Sequence, residues 1–155
     1  MDEEKSHFIE EEMFILLRNL NAEALPVWGK MNAQQMLEHL ADFFKVSTEK
    51  IIFDLVTPPE HLPKYKEFLY SDKQFRENTK APQNVLGDDP LSIRQSSFGA
   101  SREDLEKSVK EFFDFFRLHE NKKTIHPVFG PLSFEEWVLL HYKHVRHHLR
   151  QFALL

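Results

Sequence analysis

Between Ser133 and Phe152 the chain reads SFEEWVLLHYKHVRHHLRQF, and four of its nine histidines fall between His141 and His148. A neutral imidazole offers a lone pair to a metal ion or accepts a proton from a reacting group. His144 and His148 stand four residues apart. On a helix that spacing puts their Cβ atoms about 5–6 Å apart, close enough for two rings to converge on one ion. His141 with His144 and His144 with His147 are competing pairs at a spacing of three. The bare H-x-x-x-H spacing lacks the glutamate that makes H-E-x-x-H specific, so at this point histidines that merely pack or face solvent are an equally open reading.

Two histidines supply two ligands, whereas a catalytic-type metal site uses three protein ligands and an open position. The third must come from another element. His39 is the preferred candidate, because outside the last helix it is the histidine set in a strong helical pattern near that helix's apolar face. His7, His61, His119 and His126 lie near a terminus, in a turn or at a helix end, and read as surface residues. Three imidazoles suit Zn²⁺ or Ni²⁺ and accommodate Fe²⁺ or Mn²⁺. Such an ion lowers the pKa of a bound water or polarises a carbonyl. Gln35, His141 and Gln151 are the candidates to hydrogen-bond the ligand rings. Glu38 and Asp42 are candidate general bases.

These residues need elements to hold them. Ser133 followed by Glu136 is a capping box, so a helix begins there and runs to about Phe152, with Phe134, Trp137, Val145 and Phe152 on the histidine face. His147, Lys143, Arg146 and Arg150 fall on the flank or the far side, and the three basic side chains read as a solvated face. Asn32 with Gln35 is a second such start, and Met36, Leu37, Leu40, Phe43, Phe44, Ile51 and Leu55 extend a helical stripe to about Val56. A first helix spans about Glu3 to Leu20. Trp28, in the connector from Asn21 to Met31, is large enough to anchor that loop on the core. Three prolines break the chain between Thr57 and Pro63, and a short helix follows from Lys64 to about Phe75. Residues 77–100 keep no period and read as a lid, an irregular wrap or disorder. Ser101 opens a further helix carrying Leu105, Val109, Phe112, Phe113 and Phe116. Residues 119–132 form a connector containing HPVFGP, and strand signals are weak throughout. Four amphipathic helices in one domain spanning residues 1–155 predict an all-α four-helix bundle, whose sites are built from side chains of facing helices.

Composition narrows the function. With no cysteine there is no disulfide framework, thiolate site or cysteine nucleophile. A formal net charge of -5 gives no electrostatic reason to expect nucleic acid as a partner. No run approaches the roughly 20 apolar residues of a membrane span. The acidic start MDEEKSHFIEEEMF is unlike a secretory signal, so a cytoplasmic protein is expected. Fifteen phenylalanines predict a core filled by aromatic rings.

Three blocks then carry a resemblance: WGKMNAQQMLEH at 28–39, HPVFGPLSFEEW at 126–137 and KHVRHHLRQF at 143–152. Together they resemble the DinB/YfiT-like superfamily, in particular a branch of it without an assigned reaction. The resemblance implies a four-helix bundle with a long irregular connection between the second and third bundle helices. It also implies a divalent ion, often nickel or zinc, held by one histidine of the second helix and two of the fourth. Residue by residue these are His39, His144 and His148. Relatives of this kind include thiol-dependent S-transferases, isomerases and proteins described as metal-dependent hydrolases, and members often pair as dimers. The expected function is a metal-dependent hydrolase or S-transferase acting on a small molecule, with a low-molecular-weight thiol as one candidate partner. The alternative is a non-catalytic helical binding or assembly protein with structural histidines.

Overall fold

A computed structural model describes residues 2–79 and 89–155; the expectations for residues 80–88, including their part in a lid, lie outside the described residues. The chain is mostly helical, with five helices and one two-stranded sheet among the described residues. Helix α1 occupies residues 3–17 in three continuous pieces, Glu3–His7, a π-helical turn Phe8–Glu12, and Met13–Leu17. Asp2 caps it by accepting the Lys5 N–H at 3.1 Å. It buries Phe8, Ile9, Met13 and Leu17 and presents its glutamates to water.

Helix α2, Ala33–Ser47, begins in the expected capping box: Asn32 accepts the Gln35 N–H at 2.8 Å, and Gln35 accepts the Asn32 N–H at 2.9 Å. It stops well short of Val56. The hydroxyls of Ser47 and Thr48 turn back onto the carbonyls of Phe44 and Lys45, and Glu49 takes a left-handed backbone at φ 63°. Competing side-chain bonds of this kind end a helix that apolar spacing alone would continue. A single tight turn, Pro59–His61, opens helix α3, Leu62–Tyr70.

Helix α4, Phe98–Leu118, starts four residues earlier than expected. Ser97 caps it through the Ala100 N–H at 3.0 Å, while Ser101 sits inside and bonds back to the Phe98 carbonyl. The connector before the last helix is a hairpin, a correction to the strand-free expectation. Strands β1, Thr124–His126, and β2, Gly130–Leu132, pair antiparallel with Ile125 opposite Pro131. Gly130, at φ 78°, lets the chain reverse where a Cβ would press on Leu62. Helix α5, Phe134–Gln151, begins at Ser133 with the predicted capping box.

Helices α2 and α4 pack along much of their length, and α5 lies against α1, α2 and α3. The centre is aromatic as expected. Phe112 meets Phe44, Phe113, Phe116 and Phe134 at centroid distances of 5.0–5.7 Å. Trp137 is fully buried and donates its indole N–H to Thr124 Oγ1 at 2.7 Å, and that hydroxyl donates to the Ser47 carbonyl at 2.8 Å. The hairpin is thereby tied to the end of α2 and the start of α5. No described helix is long and apolar enough to cross a membrane.

Candidate metal centre

Capping fixes where α2 and α5 start, and core packing fixes how far each is rotated. Met36, Leu37, Leu40 and Phe44 bury one side of α2, and Trp137, Val145 and Leu149 do the same for α5. His39, on the border of the α2 stripe, is thereby turned toward His144 and His148. The structure brings these three rings together: one ring nitrogen from each lies within 4.8 Å of the others. His144 Nε2 is 2.9 Å from His39 Nε2 and 3.2 Å from His148 Nε2.

The arrangement around His148 fixes its tautomer. The Gln151 side-chain amide donates through Nε2 to the Trp28 carbonyl at 3.1 Å, which leaves Oε1 facing His148 Nδ1 at 2.7 Å. An amide oxygen only accepts, so Nδ1 carries the hydrogen and the neutral ring presents a lone pair at Nε2. Each ring nitrogen holds either one hydrogen or one lone pair. His144 Nε2 therefore serves one of its two short contacts and leaves the other unmatched. A cation among the three nitrogens satisfies both. Two nitrogens about 2.0–2.1 Å from a zinc ion, at bond angles of roughly 90–110°, lie about 2.9–3.4 Å apart. The two spacings at His144 fall in that interval and the third pair lies within 4.8 Å, so the three residues can hold a divalent metal once the His39 and His148 rings draw together.

Electrostatics favours the same state. Burial, helped by the nearby His147 and Arg94, pushes His39 down to about 4. Burial and the neighbouring imidazoles hold His144 and His148 well below the ordinary histidine range. All three are neutral near pH 7, the form a metal requires. Phe43 packs edge-on against His39 and His144, at 5.1 and 5.3 Å between centroids, and shields that side of the set from water.

The other sequence candidates are placed differently. Glu38 accepts the backbone N–H groups of Arg94 and Gln95, and Asp42 takes the Arg94 guanidinium in a two-pronged ion pair at 2.6 and 3.2 Å. Both carboxylates thus anchor residues 94–95 on α2. Gln35 completes its capping box and donates to the Leu91 carbonyl. His141 is stacked between Phe44 and Trp137, at 3.9 and 5.2 Å, with Nε2 on Ser47 Oγ, so its ring serves the core. Of the three residues expected to support the ligand rings, Gln151 makes such a contact.

Three residues were misjudged from sequence. His126 is buried: its Nδ1 accepts the N–H groups of Val128 and Phe129 at 3.0 and 3.2 Å, stabilising the hairpin turn. Lys143 is also buried, with its ammonium on the carbonyls of Ser71 and Lys73. His147 is buried between Trp28 and Phe75, with ring centroids 5.4 and 5.9 Å away. The i,i+3 relation of His147 to His144 was the signal available for the last of these.

The three imidazoles lie on the floor of a cleft of about 1240 Å³, walled by Trp28, Phe43, Phe68, Phe75 and Phe129. The arrangement can hold an ion at the bottom of an aromatic cavity large enough for a small-molecule reactant. No curated protein and no solved structure is significantly similar to the chain. A family model does match, over residues 9–152, a span that takes in α2, α5 and all three converging histidines. The chain belongs to the DinB superfamily.

Proposed function

We propose that this is a metal-dependent enzyme that binds a divalent cation through His39, His144 and His148 and acts on a small molecule in the cleft above them. The carrying observation is the convergence of three neutral imidazole nitrogens, one with its lone pair aimed inward by Gln151. The helices α1, α2, α4 and α5 act as a four-helix bundle in one domain, with the metal held between the second and fourth. Zinc and nickel are the ions best matched to three imidazoles. When bound, such an ion supplies Lewis acidity to a carbonyl, a water or a thiol. The chain's own residues do the rest. Gln151 sets the His148 tautomer, Phe43 keeps water from one side of the imidazoles, and the aromatic walls orient an entering molecule. Hydrolysis or transfer to a thiol is the reaction class.

Two measurements test this. Zinc or nickel raises the melting temperature of the metal-free protein, because a ligand that binds only the folded state stabilises it, by about 2.7 kcal/mol at 100-fold excess over Kd. His144→Ala abolishes both the shift and the metal content. Metal content unchanged in that variant overturns the ligand assignment, and no thermal response in the parent favours structural histidines in a binding protein. A small thiol that perturbs the spectrum of the cobalt-loaded protein supports transfer, and an unperturbed spectrum supports hydrolysis.

A further inference from the structure

The cleft has walls and a rim of opposite character. Trp28 and Phe75 flank His147, and Phe68 stacks on Phe129 at 6.3 Å, so the interior is apolar and aromatic. The rim carries the exposed side chains Lys64, Lys73 and Arg76. Among the described residues no carboxylate forms an ion pair with any of these three, and the lining contains one carboxylate, Asp89, which pairs with Lys30 at 2.8 Å. The chain as a whole has 25 acidic and 20 basic residues, so a cationic rim reverses the average surface.

The backbone bearing this rim is anchored. Lys143, from α5, donates to the carbonyls of Ser71 and Lys73, and the Phe75 ring packs on Phe68 at 5.0 Å. Lys73, Phe75 and Arg76 are therefore presented from a fixed turn next to α3. Three like charges around one apolar opening repel one another, and an anion between them relieves that repulsion. Low-dielectric walls strengthen the attraction.

We propose that the cleft takes an amphipathic anion. Its carboxylate, sulfonate or phosphate head sits among Lys64, Lys73 and Arg76, and its aromatic or aliphatic body lies against Trp28 and Phe75, reaching toward the imidazoles. This deepens the metal-dependent reading and rests on it for the chemistry at the cleft floor.

The matched probes 1-anilinonaphthalene-8-sulfonate and N-phenyl-1-naphthylamine differ by the sulfonate. The chain's two tryptophans, Trp28 and Trp137, both line the cleft, so energy transfer from them reports occupancy. Replacing Lys64, Lys73 and Arg76 together by Ala is expected to weaken the sulfonate about tenfold and the neutral probe less than twofold, and added salt is expected to weaken the sulfonate in the parent alone. Phe75→Ala weakens both probes. Equal affinity of the triple variant and the parent for the sulfonate overturns the proposal, as does equal weakening of the two probes. Zinc titration of the same two proteins separates the readings. Unaltered zinc binding with lost sulfonate preference upholds both. Zinc binding absent from both, with the sulfonate preference intact, defeats the metal reading while the anion preference stands.

Discussion

Gln151 is the residue on which the proposed metal centre most depends after the three histidines. Its amide is held at both ends, by His148 Nδ1 and by the Trp28 carbonyl. Gln151→Leu keeps the volume and removes the acceptor, and loss of such a partner typically weakens metal affinity by 10- to 100-fold. Isothermal titration with zinc measures this; an affinity within twofold of the parent would show that the tautomer is set otherwise. His126 makes a different prediction. Burial holds it at about 3 in the folded chain against 6.5 unfolded, so between those values the unfolded chain binds a proton that the native chain refuses. Stability from this residue is therefore complete above about pH 6.5 and falls as the pH drops toward 3. His126→Asn keeps an acceptor near the Val128 and Phe129 N–H groups and removes the titration. Its deficit relative to the parent, measured by urea unfolding at pH 7.5, should shrink by about 2 kcal/mol at pH 5. The same deficit at both values refutes the assignment. His126 was read as exposed because it stands in a connector without a period, and Lys143 because spacing reports which side of a helix a residue takes and not what distant chain packs over it. The hairpin seats His126 among Phe43, Phe129 and Trp137, and the turn after α3 covers Lys143.

At the scale of elements, the two helices that carry the histidines both open with a capping box, and both boxes were legible, because a cap is a contact between residues three apart. Asn32→Ala removes one half of the α2 box and is expected to cost about 1 kcal/mol in chemical denaturation with zinc stoichiometry unchanged. A loss of stoichiometry would mean that the start of α2 sets the rotation of His39 directly. Helix ends were less legible. The α2 stripe continues past Ser47 into Ile51, but two hydroxyls turned onto the preceding carbonyls stop the helix there. Ser101 and Ser97 are both plausible caps for α4. The choice between them rests on the extended backbone at Ser97, which no local pattern announced. Arg94 joins irregular chain to α2 through Asp42 and Glu38, and that pairing, across more than fifty residues, had no sequence signal.

For the molecule as a whole, the mostly helical character and the meeting of His39 with His144 and His148 followed from periodicity together with the family resemblance. Spacing alone supplied one pair. The third ring arrives because apolar stripes on α2 and α5 turn both helices inward. Arg94→Ala frees Asp42 from its guanidinium partner, while Glu38 keeps the backbone N–H groups of residues 94 and 95. Because the Arg94 side chain is about half exposed, the expected loss is modest, about 1 kcal/mol by thermal unfolding, with metal content unchanged. A fall in metal content would return Asp42 to the site. The walls and the rim, by contrast, draw on residues scattered from Trp28 to Phe129 and were not legible as a cavity.

The connector at the cleft mouth reaches the imidazole set through one amide, and the Val27 N–H also donates to the Gln151 backbone carbonyl at 2.7 Å. Whatever displaces that connector alters the hold on His148. By linkage, an occupant pressing on Trp28 and an ion on the histidines must change each other's affinity by one common factor. Titrating zinc with and without a saturating aromatic anion, and the anion with and without zinc, gives that factor twice; it is expected to differ from one and to agree in both directions.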